Sequence, residues 1–571
     1  MRPKQSADDG SGAVVRVLLV HPQFTGGSFW NYTDTCALIG ARYPAPPLGL
    51  ITVAAMLPQS WDLRLIDLNA NDDARALAEA IEWSDLVMLG GMLPQRFRAL
   101  GLIDQVRAAG KPVAVGGPDV SSSREYFSNA NFRLIGEAEG CIDAFVRAWE
   151  AGERQGDFEA PLHSVDVTKT PIPRFDLLRF SDYTQVALQF SRDCPFLCEY
   201  CDIIELFGRK PRTKTTEQML AELDRIYALG FRGHVDLVDD NLIGNKKAVK
   251  AFLPELIEWQ RRHGYPFEFS TEASLNLADD PELLKMMSDA NFFAVFVGIE
   301  SPDPDVLVMA QKKQNTRRDI AQSIHRINAA GLFVVGGFIV GFDNEKPGTA
   351  DGLIDLIEEA SIPVSMVGLL YALPGTQLTR RLEREGRLFD YDEGHILETA
   401  TSDQCTQGLN FETLRPRVEV LADFRKVVAH IYACENYFAR IRRTVDLLDC
   451  SGENGELRRS TLLQDAVRFL RLMWNATLRQ PELRGPLWRL VAYILRRNPR
   501  ALKGGLDMAA LYAHLGPFSR FVVSEIDRQI EEVAAAGAPA PVASNPVAPG
   551  AAAPPPLPTP LPTPLPAVAG E

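Results

Sequence analysis

The fold of this chain is decided by residues 189–201, which read Gln189-Phe190-Ser191-Arg192-Asp193-Cys194-Pro195-Phe196-Leu197-Cys198-Glu199-Tyr200-Cys201. The three cysteines have the spacing C-x3-C-x2-C and follow a strand-like run, and no fourth cysteine lies nearby in the sequence. Cysteine thiolates are the ligands that hold iron–sulfur clusters. Because a cubic cluster has four irons, three protein ligands leave one iron with an open position, which marks a reactive site rather than a purely structural one. We therefore predict that Cys194, Cys198 and Cys201 bind a cluster that takes part in chemistry.

Two other uses of cysteine fit this chain less well. A zinc site usually shows two separated pairs of ligands, and no such pairs are visible in the sequence. A disulfide framework suits small secreted chains, whereas this chain has 571 residues and eight scattered cysteines. The remaining five form no spaced cluster and are expected to be ordinary thiols: Cys36, Cys141, Cys405, Cys434 and Cys450.

Composition limits the class of protein. The length allows about three or four domains, and a chain that is 46% hydrophobic and 23% charged is expected to fold. The formal net charge of −14 argues against nonspecific nucleic-acid binding. No apolar run reaches the length of a membrane span, and the polar N-terminus has no apolar signal core. We predict a cytoplasmic protein, and a reducing cytoplasm suits an oxygen-sensitive cluster.

Residues 14–150 alternate strand-like apolar runs with helical patterns. This alternation predicts an α/β domain with a parallel sheet, whose ligands bind at the carboxyl ends of the strands. Glycines follow several strands and would let a large flat ligand approach the backbone, although glycine and proline also end strands without such a role. The predicted strands are 15–20, 63–67, 86–89, 113–116 and 132–135.

Residues 181–395 show a second strand–helix repeat. It predicts a partial (β/α)6 TIM-like barrel, whose chemistry sits at the carboxyl ends of the strands, where the cysteine loop also falls. Between the two α/β segments, residues 151–180 are predicted to form a linker, because Pro161, Pro171 and Pro173 discourage a regular element. The six predicted strands of the barrel are 184–190, 234–239, 267–271, 293–299, 333–342 and 365–371.

The rest of the chain is different in character. Residues 411–535 are predicted to form a helical C-terminal domain, with helices at 418–448, 461–474, 487–497 and 518–535 separated by Pro481, Pro486 and Pro499. Residues 536–571 are an Ala/Pro-rich tail that we expect to be disordered or polyproline-like. The helix 487–497 is apolar with a basic edge, which fits either contact with a membrane surface or a core helix with solvated arginines.

The segment 181–395 resembles the radical S-adenosylmethionine (SAM) enzymes. The cysteine spacing is the signature of that superfamily, and Tyr200 is the aromatic residue before its last cysteine. The resemblance implies that the three thiolates hold a [4Fe-4S] cluster and that SAM chelates its fourth iron. Reduction then cleaves SAM to methionine and a 5′-deoxyadenosyl radical.

The same resemblance implies a set of SAM-contacting residues at the ends of the barrel strands. Carboxylates there can accept hydrogen bonds from the ammonium group or the ribose diol of SAM. For Asp239 and Asp240, the alternative is a capping role at the start of the next helix. Lys312 and Lys313 are expected to be solvated. The implied SAM-binding residues are Tyr200, Asp240, Glu272, Ser274, Glu300, Gly336 and Gly337.

A Rossmann-like domain ahead of such a barrel resembles the cobalamin-binding class of radical SAM enzymes. Residues 46–57, Gly90-Gly91-Met92 and Gly116-Gly117-Pro118 are typical of that class. The implied cobalamin-binding residues are Met92, Leu93, Gly116 and Gly117. No histidine lies in an Asp-x-His-x-x-Gly arrangement, so any cobalamin would bind base-off without a lower axial histidine. The helical C-terminal extension is similar to that of a subgroup that includes the hopanoid C-2 methylases.

The leading hypothesis is therefore a cobalamin-dependent radical SAM methyltransferase that acts on an unactivated carbon of a small molecule or a hopanoid-type lipid. The cluster would need an electron donor such as a flavodoxin or a ferredoxin. One alternative is a radical SAM enzyme that carries out cyclisation or oxidation. Another is a noncatalytic cobalamin or iron–sulfur sensor. Peripheral contact with the inner face of the membrane would suit a lipid substrate, and no nucleic-acid partner is expected.

Overall fold

The computed structural model of the chain describes residues 14–24, 28–29, 31–389, 405–450 and 462–536. Its N-terminal part is a sheet of six parallel strands: β1 (Arg16–His21), β2 (Asp62–Asp67), β3 (Leu86–Gly90), β4 (Val113–Gly116), β5 (Phe132–Ile135) and β6 (Gly156–Glu159). The first five strands confirm the prediction. Their order is β2-β1-β3-β4-β5-β6, so the direction of winding reverses between β1 and β3. Ligands of doubly wound sheets bind at such a reversal point.

Six helices accompany this sheet: α1 (Thr33–Ile39), α2 (Leu48–Met56), α3 (Ala74–Trp83), α4 (Arg96–Ala108), α5 (Pro118–Ser122) and α6 (Ile142–Glu150). The central strands β1, β3 and β4 are apolar on both sides, which is expected of a parallel sheet covered on both faces. One face of the sheet, which includes Leu19 and Phe132, packs against α2 and α6. The other face, which includes Leu18 and Val87, packs against α3, α4 and α5. The predicted Rossmann-like architecture is present.

The predicted linker is only partly irregular. Residues 156–159 form β6, which pairs in parallel with β5 and extends the first sheet to six strands. The three prolines that predicted the linker lie after this strand, so they do not interrupt it. Short 3-10 turns at Val167–Lys169 and Phe175–Leu177 then lead into the barrel.

The central part begins with β7 (Gln185–Leu188) and the hairpin of β8 (Ser191–Arg192) and β9 (Arg212–Thr213). Five further strands follow: β10 (Gly233–Leu237), β11 (Phe267–Glu272), β12 (Phe292–Glu300), β13 (Phe333–Val340) and β14 (Val364–Leu369). Six of these strands form a parallel sheet in the order β14-β13-β12-β11-β10-β7, with β7 and β14 at its two edges. This is the predicted partial barrel, with all six strands confirmed.

Helices follow the barrel strands in turn: α7 (Ile203–Leu206), α8 (Thr216–Ala228), α9 (Lys246–Arg262), α10 (Pro281–Asp289), α11 (Pro304–Met309), α12 (Ile320–Ala329), α13 (Thr349–Glu359) and α14 (Gln377–Glu385). Several begin with a side-chain cap, as at Thr215, Asp280 and Asp319. Such caps bond the first free N–H groups and fix where a helix starts, close to the preceding strand end.

The C-terminal part is helical, as predicted, and consists of α15 (Arg417–Ile431), α16 (Cys434–Leu447), α17 (Leu462–Arg479), α18 (Pro481–Arg497) and α19 (Leu502–Ala536). The single helix predicted over 418–448 is broken at Tyr432, whose carbonyl accepts a hydrogen bond from the Tyr512 hydroxyl at 3.0 Å. Pro486 lies inside α18 and does not separate two helices. The predicted tail after residue 536 lies outside the described residues.

Two further findings concern membrane contact. None of the described helices combines the length and the apolar character that crossing a bilayer requires. In α18, the apolar side chains Leu487, Leu490 and Ile494 are buried in the helical domain. Of the two alternatives for this helix, the structure therefore supports the core helix.

Candidate functional site

A large cavity lies where the three domains meet. Its volume is about 1850 Å³. One wall is the carboxyl edge of the first sheet, another is the inner face of the barrel, and a third is formed by α1, α17 and the start of α19. Because a pocket for one drug-sized ligand measures about 300–1,000 Å³, this cavity has room for more than one ligand.

The cysteine loop runs from β8 to α7 beside this cavity. Cys198 is buried, and Cys194 and Cys201 are partly exposed. Two amide groups direct N–H donors at sulfur: Asn241 Nδ2 lies 3.9 Å from Cys194 Sγ, and Gln314 Nε2 lies 3.9 Å from Cys198 Sγ. Such donors orient and tune thiolate ligands of a cluster. The sequence placed Asn241 at the end of a barrel strand, but it predicted no role at the cluster for either amide.

The ligand types at the loop, three thiols with two amide donors beside them, suit an iron–sulfur cluster. Within the described ranges, no three His, Cys, Asp or Glu side chains surround one metal ion. A cluster does not require such convergence, because each thiolate binds a different iron. Among the residues that the structure describes, the buried Oε1 of Gln314 has no hydrogen-bond partner, which leaves an acceptor available beside Cys198.

Asp239 and Asp240 fasten the cysteine loop to the end of β10. Asp239 accepts hydrogen bonds from the N–H of Phe190 at 3.1 Å and from both the N–H and the hydroxyl of Ser191. Asp240 accepts one from the N–H of Asp193 at 3.1 Å. Burial, together with the nearby carboxylates of Asp239 and Asp193, raises the pKa of Asp240 to about 7. The capping alternative is wrong, because Asn245 caps the next helix.

Glu300 forms a buried ion pair at the end of β12. Its Oε1 lies 2.8 Å from Lys312 Nζ, and the two side chains are 8% and 12% exposed. The pairing of β12 with β13 shifts register between Gly298 and Glu300, and Glu300 has a left-handed φ of 69°. A bulge of this kind re-aims a side chain, and here Glu300 reaches the cavity wall.

Lys312 is therefore not solvated, contrary to the expectation from sequence. Burial opposes its charge, but Glu300 and the thiols of Cys198 and Cys201 outweigh that effect and raise its pKa above the ordinary range. Its Nζ also lies 3.5 Å from the hydroxyl of Tyr200. A fixed positive charge thus stands beside the cysteine loop.

Glu272, at the end of β11, faces the cavity. Burial raises the pKa of its carboxyl to about 8, and the nearby carboxylates of Asp236, Asp240 and Asp239 act in the same direction. A carboxyl group with this pKa can accept or donate a hydrogen bond near neutral pH.

The other residues expected to contact SAM divide into two groups. Gly337 lines the cavity, whereas Gly336 does not, and a Cβ added at Gly336 would lie 2.9 Å from Phe338 Cε2 and 3.3 Å from Ile299 Cδ1. Ser274 accepts a hydrogen bond from Asn241 Nδ2 at 3.2 Å and so supports the cysteine loop from behind. The cavity lining contains Glu272, Glu300 and Gly337 but not Tyr200, Asp240, Ser274 or Gly336.

The residues expected to contact cobalamin lie together on the opposite wall. Met92, Leu93, Gly116 and Gly117 all line the cavity at the carboxyl edge of the first sheet. Gly117 has a φ of 106°, and a Cβ there would lie 2.8 Å from the Gly91 carbonyl oxygen. Two loops therefore meet backbone to backbone, which only glycine permits. This leaves a flat, glycine-lined edge beside the reversal point of the sheet.

His21 follows β1 on the same wall, and both of its ring nitrogens have partners. Nδ1 lies 3.1 Å from Asp67 Oδ1, and Nε2 lies 2.9 Å from Gln95 Nε2. The pKa of Asp67 is lowered, since hydrogen bonds from His21 and Asn69 outweigh its burial. These bonds hold His21 within the protein.

Buried ion pairs connect the two walls. Arg192 of β8 contacts Glu137 at 2.9 Å and Glu139 at 2.6 Å, both beyond β5 of the first sheet. Arg212 of β9 contacts Glu137 at 2.9 Å and Asp193 at 2.8 Å. The cysteine loop is thereby tied to the loop that follows β5. Sequence analysis missed this network because its charges lie far apart along the chain.

The inner face of the barrel also carries polar groups. His234 Nε2 lies 2.6 Å from Ser270 Oγ, which in turn bonds Asp236. Lys503 of α19 pairs with Glu268. All of these residues line the cavity, whereas Phe296, Phe338 and Met366 above them are apolar. The cavity therefore has an apolar middle and a polar floor.

Two family models match the central and the C-terminal parts of the chain. Residues 188–357 match the family described as the Radical SAM superfamily, and residues 376–528 match a Domain of unknown function (DUF4070). The uncharacterized methyltransferase sll1242 of Synechocystis sp. is 40% identical over 91% of this chain and 94% of its own. The hopanoid C-2 methylase of Rhodopseudomonas palustris is 37% identical over 74% of this chain and 78% of its own.

One solved structure shares most of the fold. The cobalamin-dependent S-adenosylmethionine radical enzyme OxsB, solved with aqua-cobalamin bound, aligns with a TM-score of 0.56 over 91% of this chain and 81% of OxsB. The two sequences are 14% identical in this alignment. The likeness thus shows a common arrangement of the domains.

Proposed function

The chain belongs to the family of radical SAM methyltransferases that includes the hopanoid C-2 methylase, and we propose that it methylates an unactivated carbon of a largely apolar, amphiphilic substrate. The observation that carries this proposal is a single cavity lined on one side by the glycine edge of the first sheet and on the other by Glu272, Glu300 and Gly337 of the barrel. The cysteine loop lies beside this cavity, and Arg192 and Asp202, which flank the three cysteines, belong to its lining. When bound, the cluster with SAM supplies a 5′-deoxyadenosyl radical and cobalamin supplies the methyl group. The protein's part is to position these groups and to exclude water.

On the barrel side, Cys194, Cys198 and Cys201 would hold the [4Fe-4S] cluster. Glu272, Glu300 and Gly337 would contact SAM, since these three face the cavity. Tyr200, Asp240 and Ser274 would act from behind, by holding the loop and Lys312 in place. Gly336 would not contact SAM, because it lies outside the cavity lining.

On the opposite wall, Met92, Leu93, Gly116 and Gly117 would contact cobalamin. The fit rests on the close backbone approach at Gly91 and Gly117 and on the position of this edge at the reversal point of the sheet. Since His21 is held by Asp67 and Gln95, the corrin would bind without that ring as a ligand.

The lining of the cavity supports the choice of substrate. Apolar side chains in its middle would bury a hydrocarbon skeleton, and the polar floor at His234, Ser270 and Asp236 would bond a hydroxyl or amine at one end. A hopanoid-type lipid is one molecule of this class. The names of the two relatives favour methyl transfer over the cyclisation, oxidation and sensor alternatives.

The electron donor would dock on the outer side of the cysteine loop. A shallow depression of about 470 Å³ lies there, bounded by Pro195, Phe196, Lys210 and Lys246. Basic side chains suit an acidic flavodoxin or ferredoxin in the cytoplasm, because complementary charge speeds association.

Anaerobic reconstitution tests the proposal. The wild-type chain should contain iron, sulfide and corrin, and it should move a labelled methyl group from SAM to a polycyclic lipid extract. Cys194→Ala should abolish turnover. Cys434→Ala is the matched control, because this partly exposed thiol lies on α16, outside the cysteine loop.

The outcomes separate the alternatives. SAM cleavage without a labelled product would favour cyclisation or oxidation, and a reduced cluster without SAM cleavage would favour the sensor. Equal turnover by Cys194→Ala and Cys434→Ala would refute the cluster assignment itself.

A further inference from the structure

Helix α17 exposes a row of large apolar side chains, which we call the α17 stripe: Val467, Leu470, Trp474 and Leu478. They are 40%, 64%, 69% and 55% exposed. In a helix with 3.6 residues per turn these positions fall within an arc of about 80° and extend over about 16 Å. Trp488 of α18 enlarges the patch, since its indole N–H donates to Thr477 Oγ1 at 3.2 Å and the side chain is 49% exposed.

The other face of the same helix belongs to the cavity. Phe469 and Leu472 line the cavity wall. Asn475 Nδ2 donates to the Leu38 carbonyl at 2.9 Å, which fastens α17 to α1, a second element of that wall. A single layer of helix therefore separates the exposed stripe from the cavity.

Unpaired positive charge surrounds the stripe. Arg471, Arg484 and Arg489 form no ion pair with another residue in the part of the chain that the structure describes. They donate to the carbonyls of Ile39, Thr477 and Gly485 at 3.5, 3.2 and 3.3 Å. Because the whole chain carries a net charge of −14, a local basic patch is a distinct feature. Trp and Leu flanked by Arg are typical of helices that lie at a bilayer interface.

We propose that the α17 stripe docks on the surface of an anionic lipid bilayer and that a lipid substrate enters the cavity between α1 and α17. The second half of this inference rests on the proposed function, whereas docking by itself does not. The stripe lies on α17 and differs from the helix 487–497 considered from sequence, in which Leu487, Leu490 and Ile494 are buried and Trp488 borders the patch.

Vesicle flotation of the full chain tests the docking step. The wild type should float with vesicles of phosphatidylglycerol and phosphatidylcholine and much less with pure phosphatidylcholine or in high salt. Leu470→Glu combined with Trp474→Glu should reduce the bound fraction at least about tenfold. Replacing Arg471, Arg484 and Arg489 by Gln should reduce it on anionic vesicles only, and this variant keeps the apolar surface.

The matched control is Leu162→Glu combined with Leu414→Glu. These residues are 65% and 67% exposed but lie far from α17 in the sequence, in the loops before the barrel and before α15. The control should float like the wild type. The proposal would be overturned if the α17 double variant (Leu470→Glu, Trp474→Glu) floated as well as the control, or if the wild type did not float. It would also be overturned if the wild type were a dimer and the α17 double variant a monomer, because the stripe would then be a contact between two copies of the chain. The proposed function is tested separately by measuring methyl transfer to lipid dispersed in detergent, since this assay needs no bilayer surface.

Discussion

Replacing Lys312 by Met should destabilise the barrel locally and disturb the cluster. The ammonium group is 2.8 Å from Glu300 Oε1, and both side chains are nearly enclosed. Removing one partner of a buried pair typically costs about 3–5 kcal/mol, because the other charge stays buried without compensation. Since Glu300 touches the cavity, we expect the lower end of that range, about 3 kcal/mol.

Amide hydrogen exchange measures the loss of local stability in the Lys312→Met variant. A loss of about 3 kcal/mol should speed exchange roughly a hundredfold in β12 and in residues 304–315. Exchange in the first sheet should not change. Iron content after reconstitution should also fall, because the variant removes positive charge beside Cys198 and Cys201.

The double variant Glu300→Gln with Lys312→Met is the decisive comparison. It removes both charges and keeps similar volumes, so most of the lost protection in β12 should return. If the double variant exchanges as fast as Lys312→Met alone, Lys312 acts through packing and the electrostatic explanation is wrong. Iron content should stay low in both variants, because neither restores the positive charge.

Three other changes test the remaining parts of the site. Glu272→Gln should flatten the pH dependence of stability: the folded pKa of about 8 lies above the unfolded value of 4.5, so the wild type loses stability as pH rises between these values. We expect the wild type to lose about 2 kcal/mol of unfolding free energy over this pH range, after allowance for screening by solvent in the cavity. Urea titrations at acid and alkaline pH measure that loss. If unfolding free energy falls equally with pH in the wild type and in Glu272→Gln, the assignment is contradicted. Gly337→Val should abolish SAM cleavage but keep iron, because the new side chain would take up space in the cavity where SAM is proposed to bind, with its Cβ 2.7 Å from Phe296 Cζ. Normal cleavage in this variant would exclude Gly337 from SAM binding. Arg192→Met should weaken corrin retention more than iron retention, because Glu137 and Glu139 lose a partner at 2.9 and 2.6 Å; an unchanged corrin content would show that the network does not position that wall.

Much of the fold could be predicted from sequence, because its strands are short apolar runs between helical patterns. Both sheets are buried on two sides, so their strands stand out by composition alone. Strand β6 was missed since Gly156-Asp157-Phe158-Glu159 is an edge strand with alternating polarity and only four residues. The break at Tyr432 was missed because it depends on the Tyr512 hydroxyl, which is distant in sequence.

The candidate site was predictable only where residues are close in sequence. The three cysteines share one loop, Glu272 and Glu300 are the last residues of β11 and β12, and Gly337 lies within β13. By contrast, the lysine at position 312 looks like any surface lysine beside its neighbour Lys313. Its burial follows from the register shift that aims Glu300 towards it, and no local pattern encodes that shift.

The distance between the two walls is set by charge as much as by apolar packing. Arg192 and Arg212 carry two positive charges against the carboxylates of Glu137, Glu139 and Asp193. Asp193 immediately precedes Cys194, and Glu137 follows the strand that ends beside Gly116. Directional ion pairs fix separation and angle, whereas an apolar contact tolerates sliding. A radical reaction between groups on facing walls depends on such fixed geometry, which explains why buried charges occupy the junction despite the cost of desolvating them.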